Sequence, residues 1–259
     1  MKTSLGKKLV VLFVTFLLAL SPWSGVLAEE YSAQTMRLLR YDGDIVIEDA
    51  KGNPRFVMEN VRFKSGEAVR TGEKSTVSVS LDDTKIVSLD QNTRVEFFKN
   101  GGHLKLKLTA GALLLDVREK LDENESLDVE TSTMTVGITG TVIKIDQEEM
   151  NLDGVTVCKV TLLEGTSTIE YTDENGNKVP LTISAGNTVI LTDLDGDGVL
   201  DSQPVVRKTE EADTEGFVDE LIAQDPGLRW RVEAVREQQN VENGENQPVG
   251  SPVSAPTTD

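Results

Sequence analysis

The sequence has very few of the side chains on which most catalytic and redox sites depend. It contains one cysteine and one histidine in 259 residues, which rules out an intramolecular disulfide and leaves little material for Cys- or His-based catalysis. Cys158 alternates with apolar neighbours and is predicted to be a buried, inert thiol, whereas His103 follows a Gly-Gly turn and is predicted to be exposed. No catalytic motif is present, so we predict a non-enzyme without catalytic residues or an organic cofactor.

Positive charge is also scarce. The chain carries 26 lysines and arginines against 44 acids, which gives a formal net charge of -18. A surplus of negative charge repels nucleic-acid phosphates and anionic lipid surfaces. We therefore expect no nucleic-acid partner and no loose adsorption to a membrane surface.

The longest apolar run lies at the amino terminus. Three lysines precede the apolar residues 9–20, and small residues at 26 and 28 are followed by two glutamates. This pattern predicts a cleaved signal peptide over residues 1–28, and hence a secreted or extracytoplasmic protein of the periplasm or cell surface. An uncleaved membrane anchor is the alternative, but the run is shorter than the roughly 20 residues that a span needs. After cleavage we expect no stable membrane span.

Alternation of apolar and polar residues dominates the middle of the chain. Examples are Val77, Val79 and Leu81, and also Leu104, Leu106 and Leu108. Such a period of two predicts strands with one buried and one exposed face, and turn signals such as Asn175-Gly176 separate them. We therefore predict an all-β domain over residues 29–206, either an antiparallel sandwich or a β-solenoid-like domain.

One segment breaks this alternation. Within residues 134–145 the apolar side chains switch from even to odd positions after Gly140. Because such a switch moves side chains to the opposite face unless the backbone bends, we predict a bulged strand here. A strand buried on both faces is the alternative.

A series of turn and strand-start motifs runs along the same region. In chain order they are Gly66-Glu67, Thr71-Gly72, Ser75, Gly140-Thr141, Leu163-Glu164-Gly165 and Ala185-Gly186-Asn187. Together they resemble the FecR domain family, named for the ferric-citrate sensor, over about residues 40 to 192. Thr139 stands where many members of that family carry arginine. Because the motifs mark turns and strand starts, the resemblance implies a fold more than an activity.

The resemblance also implies a kind of partner. The named regulators of the family join a cytoplasmic region that handles a sigma factor to a membrane span and then to this domain in the periplasm. This chain begins with a predicted signal peptide instead, so the resemblance implies a secreted stand-alone member that makes protein or cell-envelope contacts. An extracytoplasmic sensor or regulatory subunit of a transmembrane signalling system is the alternative. Iron binding is not implied, because the sequence has no cluster of iron ligands.

An aspartate-rich segment closes the β region. Asp193, Asp195, Asp197 and Asp201 follow the spacing D-x-D-x-D-G-x-x-D, and the carbonyl of Val199 would add a further oxygen. Such an oxygen-rich set suits Ca²⁺, and the spacing is similar to the short calcium loops of dockerins and thrombospondin type 3 repeats. A proline at the twelfth position, where an EF-hand has a bidentate glutamate, predicts weak binding. We predict a structural calcium site; a solvated acidic turn is the alternative.

The alternation ends after residue 206. Residues 207–239 carry helical spacing, and Asp225-Pro226 has the signature of an N-cap followed by the first helical residue. We predict two short helices, 214–224 and 226–239, whose apolar stripe docks on the β domain, with docking on a partner as the alternative. Residues 240–259 are rich in polar residues, Pro and Gly, and are predicted to be a disordered tail.

Overall fold

The computed structural model of the protein describes residues 36–58, 60–150 and 154–245. The predicted signal peptide and residues 246–259 of the predicted tail lie outside the described residues. The strands are β1 (Arg37–Asp42), β2 (Ile45–Glu48), β3 (Pro54–Arg55), β4 (Glu67–Thr71), β5 (Thr76–Ser80), β6 (Lys85–Leu89), β7 (Arg94–Asn100), β8 (His103–Val117), β9 (Ser126–Glu130), β10 (Met134–Ile138), β11 (Val142–Met150), β12 (Val155–Glu164), β13 (Thr166–Thr172), β14 (Lys178–Ser184), β15 (Asn187–Asp193) and β16 (Val205–Lys208).

The strands form one large, mostly antiparallel sheet, which confirms the all-β prediction. The long strand β8 belongs to two ladders. Its second half lies in the first ladder, β1-β5-β6-β8-β11-β12-β15-β16, and its first half lies in the second ladder, β3-β2-β4-β7-β8-β9-β10-β13-β14. Among the described strands, only β8 and β9 pair in parallel. The structure is therefore not a solenoid, in which successive coils stack in parallel.

The two ladders share one apolar core, as in a sandwich. Phe97 of the second ladder and Leu113 of the first belong to the same cluster of buried side chains. Phe63 packs on Phe97 with ring centroids 5.3 Å apart. Cys158 lies in this cluster without exposed surface, as predicted. The alternation seen in the sequence therefore marks the inward faces of both ladders.

The sheet bends within β8 at Gly111. This glycine has φ +83°, and a Cβ atom there would lie 2.2 Å from Oγ1 of Thr93. The Thr93 hydroxyl accepts a hydrogen bond from the backbone N–H of Ala112 at 2.9 Å, which fixes the bend from the neighbouring turn. A residue without a side chain is therefore required where the chain passes from one ladder to the other.

The predicted bulged strand over residues 134–145 is instead two strands. β10 lies in the second ladder and β11 in the first, and Gly140, with φ +127°, lies between them. The register against β12 also shifts between Val142 and Ile143. The apolar parity changes because the chain crosses from one ladder to the other, and not because a single strand bulges.

Two helices cover the outer face of the first ladder. A short 3₁₀ helix (Glu211–Asp213) precedes α1 (Phe217–Gln224) and α2 (Pro226–Glu245). The buried cluster between helices and sheet consists of Leu114, Val142, Leu163, Phe217, Val218, Leu221, Ile222, Leu228 and Val232. The apolar stripe thus docks on the β domain, as predicted. In the part of the chain that the structure describes, neither helix is both long and apolar enough to span a membrane.

The start of α2 has the predicted cap. Oδ1 of Asp225 accepts the backbone N–H groups of Gly227 at 2.9 Å and of Leu228 at 3.1 Å. The other carboxylate oxygen accepts Arg118 Nη2 at 2.8 Å, which ties the cap to the sheet. The described part of the helix runs to Glu245, so residues 240–245 are helical, whereas the sequence predicts the start of a disordered tail there.

Candidate functional site

The aspartate-rich loop joins the end of β15 to β16. Asp193 is the last residue of β15 and is fully buried, whereas Asp195 and Asp197 are exposed in the turn that follows. One carboxylate oxygen from each of these three residues lies within 4.8 Å of the other two. The structure therefore brings together three of the five predicted ligands.

The buried carboxylate of Asp193 organises this loop. Its Oδ1 accepts the backbone N–H groups of Asp195 at 3.2 Å and Gly196 at 2.7 Å, and its Oδ2 accepts the N–H of Gly198 at 2.9 Å. An ionised carboxylate has about four lone-pair sites. Three amide contacts therefore leave room for one cation contact on Asp193, and the exposed oxygens of Asp195 and Asp197 add further hard donors.

The other two predicted ligands, Asp201 and Val199, are not part of the group formed by the three carboxylates. Oδ2 of Asp201 accepts the backbone N–H of Leu194 at 2.6 Å. The N–H of Val199 donates to Oδ1 of Asp197 at 2.8 Å. Asp201 thus closes the base of the loop, while Val199 closes the turn at its tip.

The loop is held tightly against neighbouring turns. A Cβ atom at Gly196 would lie 2.8 Å from the carbonyl oxygen of Gly154, and one at Gly198 would lie 2.9 Å from that of Ser132. Both glycines have positive φ, +75° and +85°. The loop therefore needs glycine at these two positions for its fold alone, whether or not a cation binds.

The glutamate of the first turn motif is a structural residue. Glu67 is 5% exposed, and its carboxylate accepts the backbone N–H of Lys64 at 3.0 Å and the guanidinium of Arg55. Gly66 before it has φ +86°. These contacts fix the start of β4, so the carboxylate of Glu67 is not free to act on a substrate.

The hydroxyl groups of the same motif region are also engaged within the fold. Thr71 Oγ1 donates to the carbonyl of Asp90 at 2.6 Å and accepts the N–H of Thr93 at 2.9 Å. Ser75 Oγ accepts the N–H of Asp44 at 2.8 Å and donates to the carbonyl of Glu73 at 2.9 Å. The motifs thus specify turns, as the sequence predicted.

The single cysteine and histidine do not form a reactive pair. Burial raises the pKa of the Cys158 thiol, and its sulfur lies 3.6 Å from Thr131 Oγ1. His103 is exposed at the start of β8, and its Nδ1 lies 2.9 Å from Ser126 Oγ. A thiol with a raised pKa is a poor nucleophile at neutral pH.

A group of charged side chains lies beneath the helices, and the sequence alone did not indicate it. Lys144 and Asp146 lie on the outer face of β11, are 7% and 8% exposed, and pair at 2.5 Å between Nζ and Oδ1. Asp90 interacts electrostatically with both members of this pair and with Glu220 of α1. Alternation with Ile143 and Ile145 does place Lys144 and Asp146 on the outer face, but that face is expected to be solvated. Only the docked helices make it buried.

A cavity of about 350 Å³ borders this group of charges. It lies between the edge of the first ladder and α1. Its lining residues are Arg40, Tyr41, Asp42, Lys74, Ser75, Thr76, Ser78, Asp90, Gln91, Glu220, Leu221 and Gln224. The lining is mainly polar and comes from four separate stretches of the chain, so no single motif in the sequence indicates it.

The part of the chain that contains most of the turn motifs matches a known protein family. Residues 67–166 match the family described as FecR protein. This FecR-matched region runs from the start of β4 to the start of β13 and contains Thr71-Gly72, Ser75 and Gly140-Thr141. The resemblance is therefore confirmed for this part of the chain, while the aspartate-rich loop and the helices lie outside it.

Solved structures give a more distant similarity. Two crystal structures of a protein from Parabacteroides distasonis ATCC 8503, described as a "putative anti-sigma factor", match with 12% identity and a TM-score of 0.44. Each match covers 55% of this chain and 60% of the other, so less than two thirds of that protein is matched. No curated protein matches the chain.

Proposed function

We propose that the protein is a secreted, non-enzymatic FecR-like domain that makes protein or cell-envelope contacts outside the cytoplasm. The observation that carries this proposal is the FecR match over residues 67–166, in which the described motif side chains are engaged in holding turns. A region whose polar motif groups are used in this way supplies a rigid scaffold and not reactive groups. The predicted signal peptide supports a place outside the cytoplasm.

The second candidate is a sensor or regulatory subunit of a transmembrane signalling system. The same FecR match favours it, because the named regulators of that family carry this domain beyond the membrane. The two candidates differ at the amino terminus. A released scaffold requires cleavage of the leader, whereas a sensor subunit of this kind would keep residues 1–28 as a membrane anchor.

We expect the mature protein to begin at Glu29 and to fractionate with soluble extracytoplasmic proteins, because residues 26 and 28 are the small residues that signal cleavage needs at the third and first positions before the cut. Intact-mass analysis of the protein purified from its own cells measures this directly. Detection of Met1 in the membrane fraction would favour the sensor candidate instead.

Cross-linking in intact cells tests the interaction itself. A photoreactive amino acid at Trp230, which is 77% exposed on α2, and a second one at Phe56, 88% exposed, sample two surfaces. The proposal expects a defined adduct from at least one position. Absence of any adduct, or a specific hydrolase or transferase activity of the purified protein, would overturn it.

We further propose that the aspartate-rich loop binds a structural Ca²⁺ ion. The proximity of the Asp193, Asp195 and Asp197 carboxylates supports a cation there. The Val199 carbonyl and Asp201 are additional oxygen donors by their spacing in the sequence alone. All of these donors are hard oxygens, which Ca²⁺ prefers. Without a bidentate glutamate we expect an affinity in the extracellular range of about 10⁻⁴–10⁻³ M.

Calcium should raise the melting temperature of the mature chain above its value in EDTA, and magnesium should not. An ion that binds only the folded state adds about 2.7 kcal/mol of stability at a hundredfold excess over its dissociation constant. Asp195→Ala should abolish this increment, whereas Asp83→Ala, at an exposed aspartate in the β5–β6 turn, should retain it. An equal calcium response in both variants would reduce the loop to an acidic turn.

A further inference from the structure

Among the described residues, no strand pairs with the outer edge of β1 beyond its first residues. At the start of the strand, the N–H of Leu38 donates to the carbonyl of Val61 at 2.9 Å. Beyond it, residues 40–42 pair within the described chain only with β5, and Leu39 lies at a register shift in that pairing. Leu39 and Tyr41 on this edge are 40% and 46% exposed. An unpaired strand edge with exposed apolar side chains is a template for strand addition.

Two cavities border this same edge. The larger is the 350 Å³ cavity below α1, to which β1 contributes Arg40, Tyr41 and Asp42. The smaller, of about 300 Å³, is lined by Leu38, Leu39, Arg40, Tyr41 and Asn60. In strand addition, main-chain hydrogen bonds supply affinity, and pockets for the side chains of the added strand supply specificity. The β1 edge offers both.

The charges around the larger cavity favour a cation. Its acids are Asp42, Asp90 and Glu220, and its bases are Arg40 and Lys74, with the Arg40 Nε donating to Ser78 Oγ at 3.2 Å. Burial raises the pKa of the Asp90 carboxyl; Glu220 and Asp146 act in the same direction, and Lys144 and the N–H of Gln91 oppose it.

The buried Lys144–Asp146 pair lies close enough to Asp90 to interact with it electrostatically. Oδ1 of Asp146 accepts a hydrogen bond from Nζ of Lys144. In the described part of the chain, no hydrogen-bond donor reaches the other carboxylate oxygen, Oδ2. Asp90 interacts electrostatically with Glu220, Asp146 and Lys144, and Asp146 interacts also with Lys159. A positively charged side chain in the cavity would offset the repulsion between Asp90 and Glu220.

We propose that the β1 edge receives an extended segment of a partner protein, which adds a strand beside residues 39–42 and places a lysine or arginine side chain in the cavity below α1. This inference rests on the proposed function, since it names the surface that such a domain would use. Charge does not favour the chain's own residues 29–35, which contain two glutamates and no basic residue.

The experiment uses the mature chain and a labelled ten-residue peptide of alternating valine and lysine as the probe. Fluorescence anisotropy measures binding, and amide hydrogen exchange locates it. We expect the peptide to bind and to slow exchange at residues 39–42. A peptide of alternating proline and lysine has the same charge, but each proline fixes φ near −65°, away from the value of about −140° in an antiparallel strand, so it should bind much more weakly. This control separates strand addition from simple attraction to an acidic protein.

A charge variant tests the cavity. Asp90→Asn with Glu220→Gln should weaken binding of the valine–lysine peptide about tenfold, since it removes two carboxylates that face the bound cation. Asp83→Asn with Glu174→Gln makes the same charge change at two exposed acids outside the cavity and should have little effect. Equal weakening in the two variants, or equal binding of the two peptides, would overturn the proposal.

Two further outcomes would also overturn it. Slow exchange at residues 39–42 before any peptide is added would mean that the chain itself, or a second copy of it, already occupies the edge. If the Asp90 and Glu220 variant forms the adduct seen in intact cells in undiminished yield, the partner binds elsewhere and the proposed function survives without this surface. Absence of any adduct from the unaltered chain refutes the proposed function instead, so the two failures are distinguishable.

Discussion

Replacing Gly111 with alanine is expected to lower the free energy of unfolding by about 3 kcal/mol, the sum of left-handed backbone strain and overpacking. The residue has φ +83°, and the new Cβ would lie 2.2 Å from Thr93 Oγ1, 2.6 Å from Thr93 Cα and 2.8 Å from the Asn92 carbonyl oxygen. Two of these neighbours are backbone atoms, so a change of rotamer cannot relieve the overlap. The effect falls on the bend through which both ladders are joined.

Thermal unfolding measures this effect, and we expect the midpoint to fall by about 9 °C for a domain of this size. Gly176→Ala is the matched control. Gly176 has a similar φ of +78°, but no atom lies within 4 Å of the position its Cβ would take. Gly176→Ala therefore measures backbone strain alone, and we expect it to lower the free energy of unfolding by about 1 kcal/mol. Equal losses in the two variants would show that contact with Thr93 is not what requires glycine in β8.

Replacing Asp213 with asparagine is expected to destabilise the protein by about 2 kcal/mol at pH 7, as judged from the change in its pKa. Asp213 is 2% exposed. Its Oδ2 and Oδ1 accept Arg207 Nη1 and Nη2 at 2.7 and 2.8 Å, and Lys159 Nζ lies 3.6 Å away. Burial by itself would raise the pKa of this carboxyl, but Arg207, the Glu210 N–H and the Thr188 hydroxyl lower it to about 2.

The sign of the pH dependence follows from that shift. The folded-state pKa lies below the usual value of 3.8, so the contribution of Asp213 is complete above pH 3.8 and is lost as the pH falls through about 2. Urea unfolding at a series of pH values should therefore show a difference between wild type and Asp213→Asn that is constant at neutral pH and disappears near pH 2. Glu211→Gln, at an exposed acid in the same 3₁₀ helix, should show no such difference at any pH. A gap that persists below pH 2 would mean that the side-chain amide disturbs packing, and that the ion pair is not the cause.

Local sequence patterns were sufficient for the features that depend on neighbours in the chain. Alternation predicted the all-β class because each strand must bury one face. The Asp225-Pro226 signal predicted the start of α2 because an N-cap needs only the next few backbone amides. The spacing of Asp193, Asp195 and Asp197 predicted that their carboxylates would lie together, because a tight turn brings alternate residues to one centre.

Features that join distant segments required the tertiary structure. The parity switch near Gly140 was visible in the sequence, but only the pairing of β10 and β11 in different ladders shows that it marks a crossing and not a bulge. The burial of Lys144 and Asp146 depends on helices that lie about 70 residues further along the chain.

The sequence by itself thus determined the strands, the caps, the turn motifs and the candidate calcium loop. Tertiary structure alone decided that β8 joins two ladders, that the outer face of one ladder is covered, and that within the described residues the end of β1 pairs only with β5 and borders a polar cavity. The reason is that strand order and cavity charge arise from pairings between residues far apart in the chain, which no local periodicity or spacing encodes.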